Sequence, residues 1–201
     1  LFVIDLSNAT NPLVLGELKI PGYSDYLHPY DETHLIGVGK NTVEAEEGNF
    51  AWYQGIKVSL FDVSNVTNPI QKANYIIGDR GSDTPVLSDH KAFLFDRSKN
   101  LLAIPVMVAK IDESKYPSPV PPYAYGEPVW QGAYVFDISL YHDLVLEGRI
   151  THLNIDMSIN EQEYWVKRSL YIGDVLYTVS DRMVKMNSLE DLSPIGEVPL
   201  S

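Results

Sequence analysis

The chain has 201 residues, with 15 Lys plus Arg against 27 Asp plus Glu, a formal net charge of −12. No basic block is present to track a phosphate backbone, which argues against nucleic acid as a partner. Cysteine is absent, which removes disulfides, thiolate catalysis, iron–sulfur clusters and thiolate zinc sites together. A 45% hydrophobic content with 13 Tyr, 6 Phe and 3 Trp argues for a packed body. No apolar run is long enough for a transmembrane helix, and nothing reads as a signal peptide. The first residue, Leu1, already lies inside a strand-like run, so a processed product or a piece of a longer protein is expected.

LFVIDLS (1–7) and LVLGELKI (13–20) predict two strands joined by a Ser/Asn/Thr/Pro turn. YLHPY (26–30) and HLIGVGK (34–40) form the next hairpin, and the Glu-rich stretch 41–50 reads as a solvated loop. IKVSLFDVS (56–64) and ANYIIG (73–78) repeat the first pair. After a long connection come KAFLFD (91–96) and LLAIPVMVAK (101–110), where Pro105 points to an edge or bulged strand. The loop from 111 to 128 is stiffened by prolines at 117, 119, 121, 122 and 128. QGAYVFDIS (131–139) and LVLEGRITH (144–152) follow. The last strands are WVKRSLYIG (165–173), VLYTVS (175–180), RMVKM (182–186) and SPIGEVPL (193–200), with no convincing helix anywhere.

One phrase recurs. LFVIDLSNATNP and VSLFDVSNVTNP share apolar strand, Asp, apolar, Ser, Asn, x, Thr, Asn-Pro, and each is followed by a second strand closing on Gly. Worn copies are AYVFDISLYHDLVLEGRITH (133–152) and RMVKMNSLEDLSPIGEVPL (182–200), with anchors Asp5, Asp62, Asp137 and Asn187. A preserved phrase at irregular spacing means one supersecondary unit carrying loop insertions. Grouped in fours, the strands give an all-β, partial β-propeller of about three and a half four-stranded blades. The expected divisions are a half blade at 1–22 and blades at 23–80, 81–152 and 153–201. A β-sandwich would also have many short strands, but it does not account for the turn recurring at the third strand of each unit.

These pieces, together with DHKAFLF, NLLAIPV, GRITH and RSLYIGDVLYTVSD, resemble the β-propeller domain family of secreted or surface archaeal and bacterial proteins, distantly related to WD-40 repeats. The resemblance implies a large extracellular or cell-surface domain of which this chain is the C-terminal portion. It brings no catalytic residues with it.

Asp5, Asp62 and Asp137 are expected to be structural, holding the turn from the third to the fourth strand. His28, His90 and His152 are spaced 62 residues apart near passages between blades, and three imidazoles converging there would hold a divalent metal. Their registers differ, however: with Asp31 aligned to Asp96, His28 falls opposite Phe93, so solitary histidines are the competing reading. His34 and His142 read as surface residues. Ser24–Asp25 and Ser88–Asp89–His90 offer the residue types of a triad, but neighbours on an extended chain point to opposite faces. GVGK (37–40) lacks the phosphate-loop spacing, and no nucleophile elbow or metalloprotease motif occurs. Asn8-Ala9-Thr10 and Asn65-Val66-Thr67 match the N-glycosylation acceptor pattern, although Asn and Thr are also good turn formers.

Trp52, Tyr53, Tyr116, Tyr123, Tyr125 and Trp130, on or beside the proline-stiffened loop, form the candidate binding surface for a protein or a carbohydrate. The alternative is that they only cover blade edges. The expected function is a noncatalytic extracellular or cell-surface module, binding or structural, with no resident cofactor unless the histidines hold a metal. An enzyme, metal-dependent or hydrolytic, with its site at the propeller channel is the alternative. The remaining blades are expected from upstream sequence or from a second chain.

Overall fold

In a computed structural model that describes residues 1–200, fourteen strands form four separate antiparallel sheets. The first sheet has two strands, β1 (Phe2–Asp5) and β2 (Leu13–Glu17). The second has β3 (Tyr23–Pro29), β4 (His34–Glu44), β5 (Ala51–Asp62) and β6 (Ile70–Ile77), each paired with its neighbour in sequence. The third has β7 (Leu94–Asp96), β8 (Leu101–Lys110), β9 (Glu127–Ser139) and β10 (Asp143–Ile150). The fourth has β11 (Arg168–Ile172), β12 (Val175–Val179), β13 (Met183–Ser188) and β14 (Pro194–Pro199). Half a blade is followed by three four-stranded meanders, as the recurring phrase predicts. Among the described residues the only helical elements are five three-residue 3₁₀ turns.

Side-chain alternation explains how the sheets stack. On β5, Ile56, Val58 and Leu60 are fully buried against Leu102, Ile104 and Val106 of β8 and Phe136 and Ile138 of β9. The intervening β5 residues Lys57, Ser59 and Phe61 face the first sheet, where the Lys57 ammonium donates to Pro21 O at 2.7 Å. On β8 the other face carries Leu101 and Ala103, which pack with Val135, Ile150 and Leu176 toward the fourth sheet. A strand buried on both faces has no polar alternation, hence the continuous apolar run LLAIPVMVA.

Pro105 is not on an edge strand. It lies in central β8, paired with Ala133 of β9. Its other side is open because β7 pairs with β8 only through Leu101–Ala103. There the Pro105 carbonyl accepts the Thr84 hydroxyl at 2.6 Å, so the missing N–H breaks no ladder. Stretch 41–50 also differs from expectation. The β4–β5 hairpin continues through Thr42↔Tyr53, Val43↔Trp52 and Glu44↔Ala51, leaving only 45–50 as its tip.

Candidate binding face

Antiparallel order gives the molecule two unlike ends. Turns after the first and third strand of each sheet fall at one end, and turns after the second strand, with the passages between sheets, fall at the other. Bonds between sheets agree with this. At the turn end Arg97 Nη2 lies 3.4 Å from Asp31 Oδ2, Lys99 reaches Asp174 at 3.3 Å, and the Tyr171 hydroxyl donates to Asp96. At the loop end Lys40 reaches Asp83 at 3.0 Å, and Gln131 exchanges two bonds with the Val166 backbone at 2.9 and 2.8 Å.

The turn end is built from carboxylates. Asp5 Oδ1 accepts the Ser7 N–H at 2.8 Å, and Asp62 Oδ1 accepts the Ser64 N–H at 2.8 Å. Hydrogen bonding from Ser7, chiefly its backbone, and from Ser64, chiefly its side chain, holds both carboxyls below the usual carboxylate range. Asp31 and Asp96, after the first strand of successive sheets, do the same with Thr33 and Ser98 at 2.8 and 2.7 Å. Each gives one oxygen to its own turn and the other to the next blade. Hydrogen bonds from Ser98, first, and Tyr171 bring the Asp96 carboxyl down to about 2.

Asp137 differs from Asp5 and Asp62. Its Oδ1 is buried without a hydrogen-bond partner, and Ser139 Oγ closes the turn by accepting the His142 N–H at 2.9 Å. LYHD, one residue shorter than the NVTNP that follows Ser64, changes the turn, and Asp143 takes up φ 63° to complete it. In the fourth sheet Asn187 Nδ2 donates to Leu192 O at 2.8 Å, while Asp191 makes the side-chain turn bond to Ser193 at 2.9 Å.

The three candidate metal ligands are not brought together. Among the described residues no group of three or more His, Asp or Glu is arranged to hold an ion. His28 Nδ1 meets the Tyr26 hydroxyl at 3.0 Å, and its ring packs on Phe93 and Phe95 with centroids 4.9 and 5.5 Å away. His90 is exposed and opens a 3₁₀ turn. His152 is 1% exposed in the seam between the third and fourth sheets, with Thr178 Oγ1 and Ser180 Oγ each 2.9 Å from a ring nitrogen. Burial, with the nearby Lys185 ammonium, pushes its pKa down to about 4. The 62-residue spacing reflects loop lengths, which place the histidines at different heights.

His34 is not the surface residue expected. Only 12% of its side chain is exposed, with Nδ1 3.0 Å from Asp31 Oδ1 and Nε2 3.8 Å from Asp62 Oδ2. Asp89 is engaged by the Lys91 N–H at 3.0 Å and by the Arg168 guanidinium, which makes it a cap and a blade-to-blade tie. It lines a cleft of about 700 Å³ between the third and fourth sheets with Asp83, Glu163, Asp181, Lys167 and Arg168.

The aromatic candidates separate into two groups. Trp52 and Tyr53 on the extended hairpin meet Tyr125 of the proline-stiffened loop around Arg80. The guanidinium carbon lies 4.8, 4.6 and 5.6 Å from the three ring centroids. Arg80 Nη1 also donates to Tyr123 O at 2.8 Å, and its carbonyl accepts the Gly126 N–H at 2.8 Å. Tyr116 joins by accepting the Tyr125 N–H on its hydroxyl at 3.3 Å. Gln54 ties the hairpin to the loop through Pro122 O at 2.9 Å. Trp130 belongs elsewhere, packed on Tyr134 at 5.4 Å with Arg149 over its ring at 5.3 Å.

Arg80 therefore joins Trp52 and Tyr53 of the hairpin to Tyr123, Tyr125 and Gly126 of the loop in one surface. Phe50, 5.1 Å from Trp52, extends it. Phe50, Tyr123 and Tyr125 each remain more than half exposed at 53, 55 and 53%. Neither Phe50 nor Arg80 is distinguishable in the sequence, because the stacking partners of Arg80 lie 27 to 45 residues away.

Stacked four-stranded meanders joined through both faces, with turns at one end and long loops at the other, define a propeller-type repeat protein. The chain belongs to the beta propeller domain family, whose model matches residues 1–192. It is similar to an uncharacterized protein of Archaeoglobus fulgidus, 47% identical over 104 residues, covering 52% of this chain and 15% of that protein. It is also similar to an uncharacterized protein of Methanocaldococcus jannaschii, 40% identical over 119 residues, covering 57% of this chain and 17% of that protein. The chain thus matches less than a fifth of the length of either relative. No solved structure matches it.

Proposed function

We propose that the chain is part of an extracellular or cell-surface propeller of archaeal and bacterial type, distantly related to WD-40 repeats, acting as a noncatalytic binding module. Its contact surface is the loop end. The observation that carries this reading is the group Phe50, Tyr123 and Tyr125, exposed yet held in place, the two tyrosines by Arg80 and Phe50 on Trp52. Rings fixed before contact lose little entropy on binding and offer flat apolar area to a sugar ring or a protein. Cosedimentation with isolated cell-envelope material tests it. The double variant Tyr123→Ala/Tyr125→Ala is expected to weaken cosedimentation at least tenfold with the fold intact, and equal binding by the two proteins would overturn the proposal.

The first sheet supports a second element of this reading. Phe2, Ile4, Leu13 and Val14 are each at least half exposed, and β1 has a neighbour on one side only. An apolar two-stranded ribbon with an open edge is unstable in water. We assign its missing partner strands to upstream sequence of a longer protein, or to a second chain.

A further inference from the structure

We propose that Asn8 and Asn65 carry N-linked glycans, so that the turn end of the propeller is the sugar-covered end. The two acceptor sequences sit at the same place in successive units, between the third and fourth strands, and adopt one conformation. In each, the Asn Oδ1 accepts two bonds from the Thr two residues on. Its N–H stands at 3.1 Å in the first turn and 3.2 Å in the second, and its hydroxyl at 2.9 Å in both. In each, the Asn carbonyl accepts the N–H of the Asn three residues on, at 3.0 and 2.9 Å. Residues 8–10 and 65–68 are exposed throughout.

The turn thus uses the amide oxygen and leaves the nitrogen. Neither Asn Nδ2 has a protein acceptor among the described residues, and both project at an exposed turn. Donors on Oδ1 draw electron density from the amide and make Nδ2–H more acidic, which is what transfer to a poor nucleophile requires. In the transfer, Nδ2 forms a bond to the anomeric carbon of a lipid-(pyro)phosphate-linked saccharide. The carbon–oxygen bond to the phosphate breaks, the lipid (pyro)phosphate leaves as the anion, and one Nδ2 proton passes to a base of the transferase. The structural role of the turn survives, because the three bonds of each turn run through Oδ1 and the backbone.

Position gives the modification a consequence. Both glycans stand at the turn end, opposite the loops that carry Phe50, Tyr123 and Tyr125. Hydrated saccharide there keeps that end from packing on other surfaces and leaves the loop end to make contacts.

The inference rests on the surface location proposed above, and its test keeps the two apart. The natural protein is isolated from its source cells, with surface exposure scored by a membrane-impermeant amine label. The tryptic peptides ending at Lys19 and Lys72 are then weighed. Both are expected to carry saccharide mass, and Thr67→Ala is expected to remove it from the second peptide alone. A surface-labelled protein with either peptide wholly unmodified overturns the glycan proposal and leaves the location standing. Sugar retained on Asn65 in Thr67→Ala also overturns it. A protein that takes no surface label and carries no sugar overturns both.

Discussion

At the residue scale the chain depends on side chains that complete backbone hydrogen bonding. Asp62 is one of these. It caps its own turn and faces His34 of the hairpin beside it. Asp62→Ala is expected to lower stability by about 1 kcal/mol, the usual scale for a lost side-chain-to-backbone cap, with no change in binding by the loop end. A thermal melt that coincides with the parent's would refute this. The pH response also belongs here. Several carboxyls, Asp5, Asp31, Asp62, Asp89 and Asp96 among them, titrate below their unfolded value of 3.8. Their stabilisation is present above the unfolded value and is lost as pH falls through each folded value, which for Asp96 is about 2. His152 acts earlier. It stays neutral in the fold down to about 4 against 6.5 when unfolded, so between these values the unfolded chain binds the extra proton. Stability therefore falls as pH drops from 6.5 to 4, and this group costs nothing further below that. His152→Gln should flatten this part of the curve. Urea midpoints at pH 7 and pH 5 for both proteins check it, and an unchanged difference between the two pH values would count against the assignment.

Elements are held to one another both by their buried faces and by groups at their ends. Blade faces bury aliphatic side chains, but the long 111–126 segment is fixed from outside itself, by Arg80 on the passage out of the preceding sheet. A planar guanidinium can stack on three rings and still donate in its plane, which an ammonium cannot. Arg80→Ala, and to nearly the same degree Arg80→Lys, should raise amide exchange across 111–126 about tenfold while β8 and β9 stay protected. Hydrogen exchange read by mass spectrometry decides the matter, and uniform protection of the loop in Arg80→Ala would show that proline stiffness alone holds it. The extended β4–β5 hairpin makes a related point. Its Glu-rich tip hides strand residues 41–44, and only pairing with Ala51–Tyr53 brings them into register.

For the whole molecule the governing fact is unfinished surface. The exposed side chains of β1 and β2, together with Ile195 and Val198 on β14, place apolar area at both ends of the row of sheets. Closed propellers have four or more blades and leave no such ends. The chain in isolation is expected to self-associate in dilute solution, because open strand edges and apolar faces find one another. Its mass by light scattering should exceed the 22.6 kDa of one copy. A monomer with a single cooperative melt would show that three and a half blades suffice, and would remove the reason to assign partner strands to this edge.

Much of this molecule is written in local pattern. The Asp-x-Ser-Asn-x-Thr-Asn-Pro phrase carries turn chemistry that acts within three residues, so the repeat, the strand order and the roles of Asp5 and Asp62 follow from sequence alone. In the run LLAIPVMVAK, by contrast, Pro105 points to an edge or bulged strand, and only the packing of neighbouring sheets shows a strand covered on both faces. What depends on contact between distant residues was not legible. Asp137 loses its turn bond because the next residues form a different turn, and Pro105 is tolerated only because β7 stops short of it. His28, His90 and His152 share a spacing but no site, since sequence distance does not fix height along a strand when loop lengths vary. The aromatic surface was visible as a composition, and tertiary structure chose its members. It added Phe50 and Arg80 and sent Trp130 elsewhere, because stacking on a cation is settled by where separate blades bring their loops together.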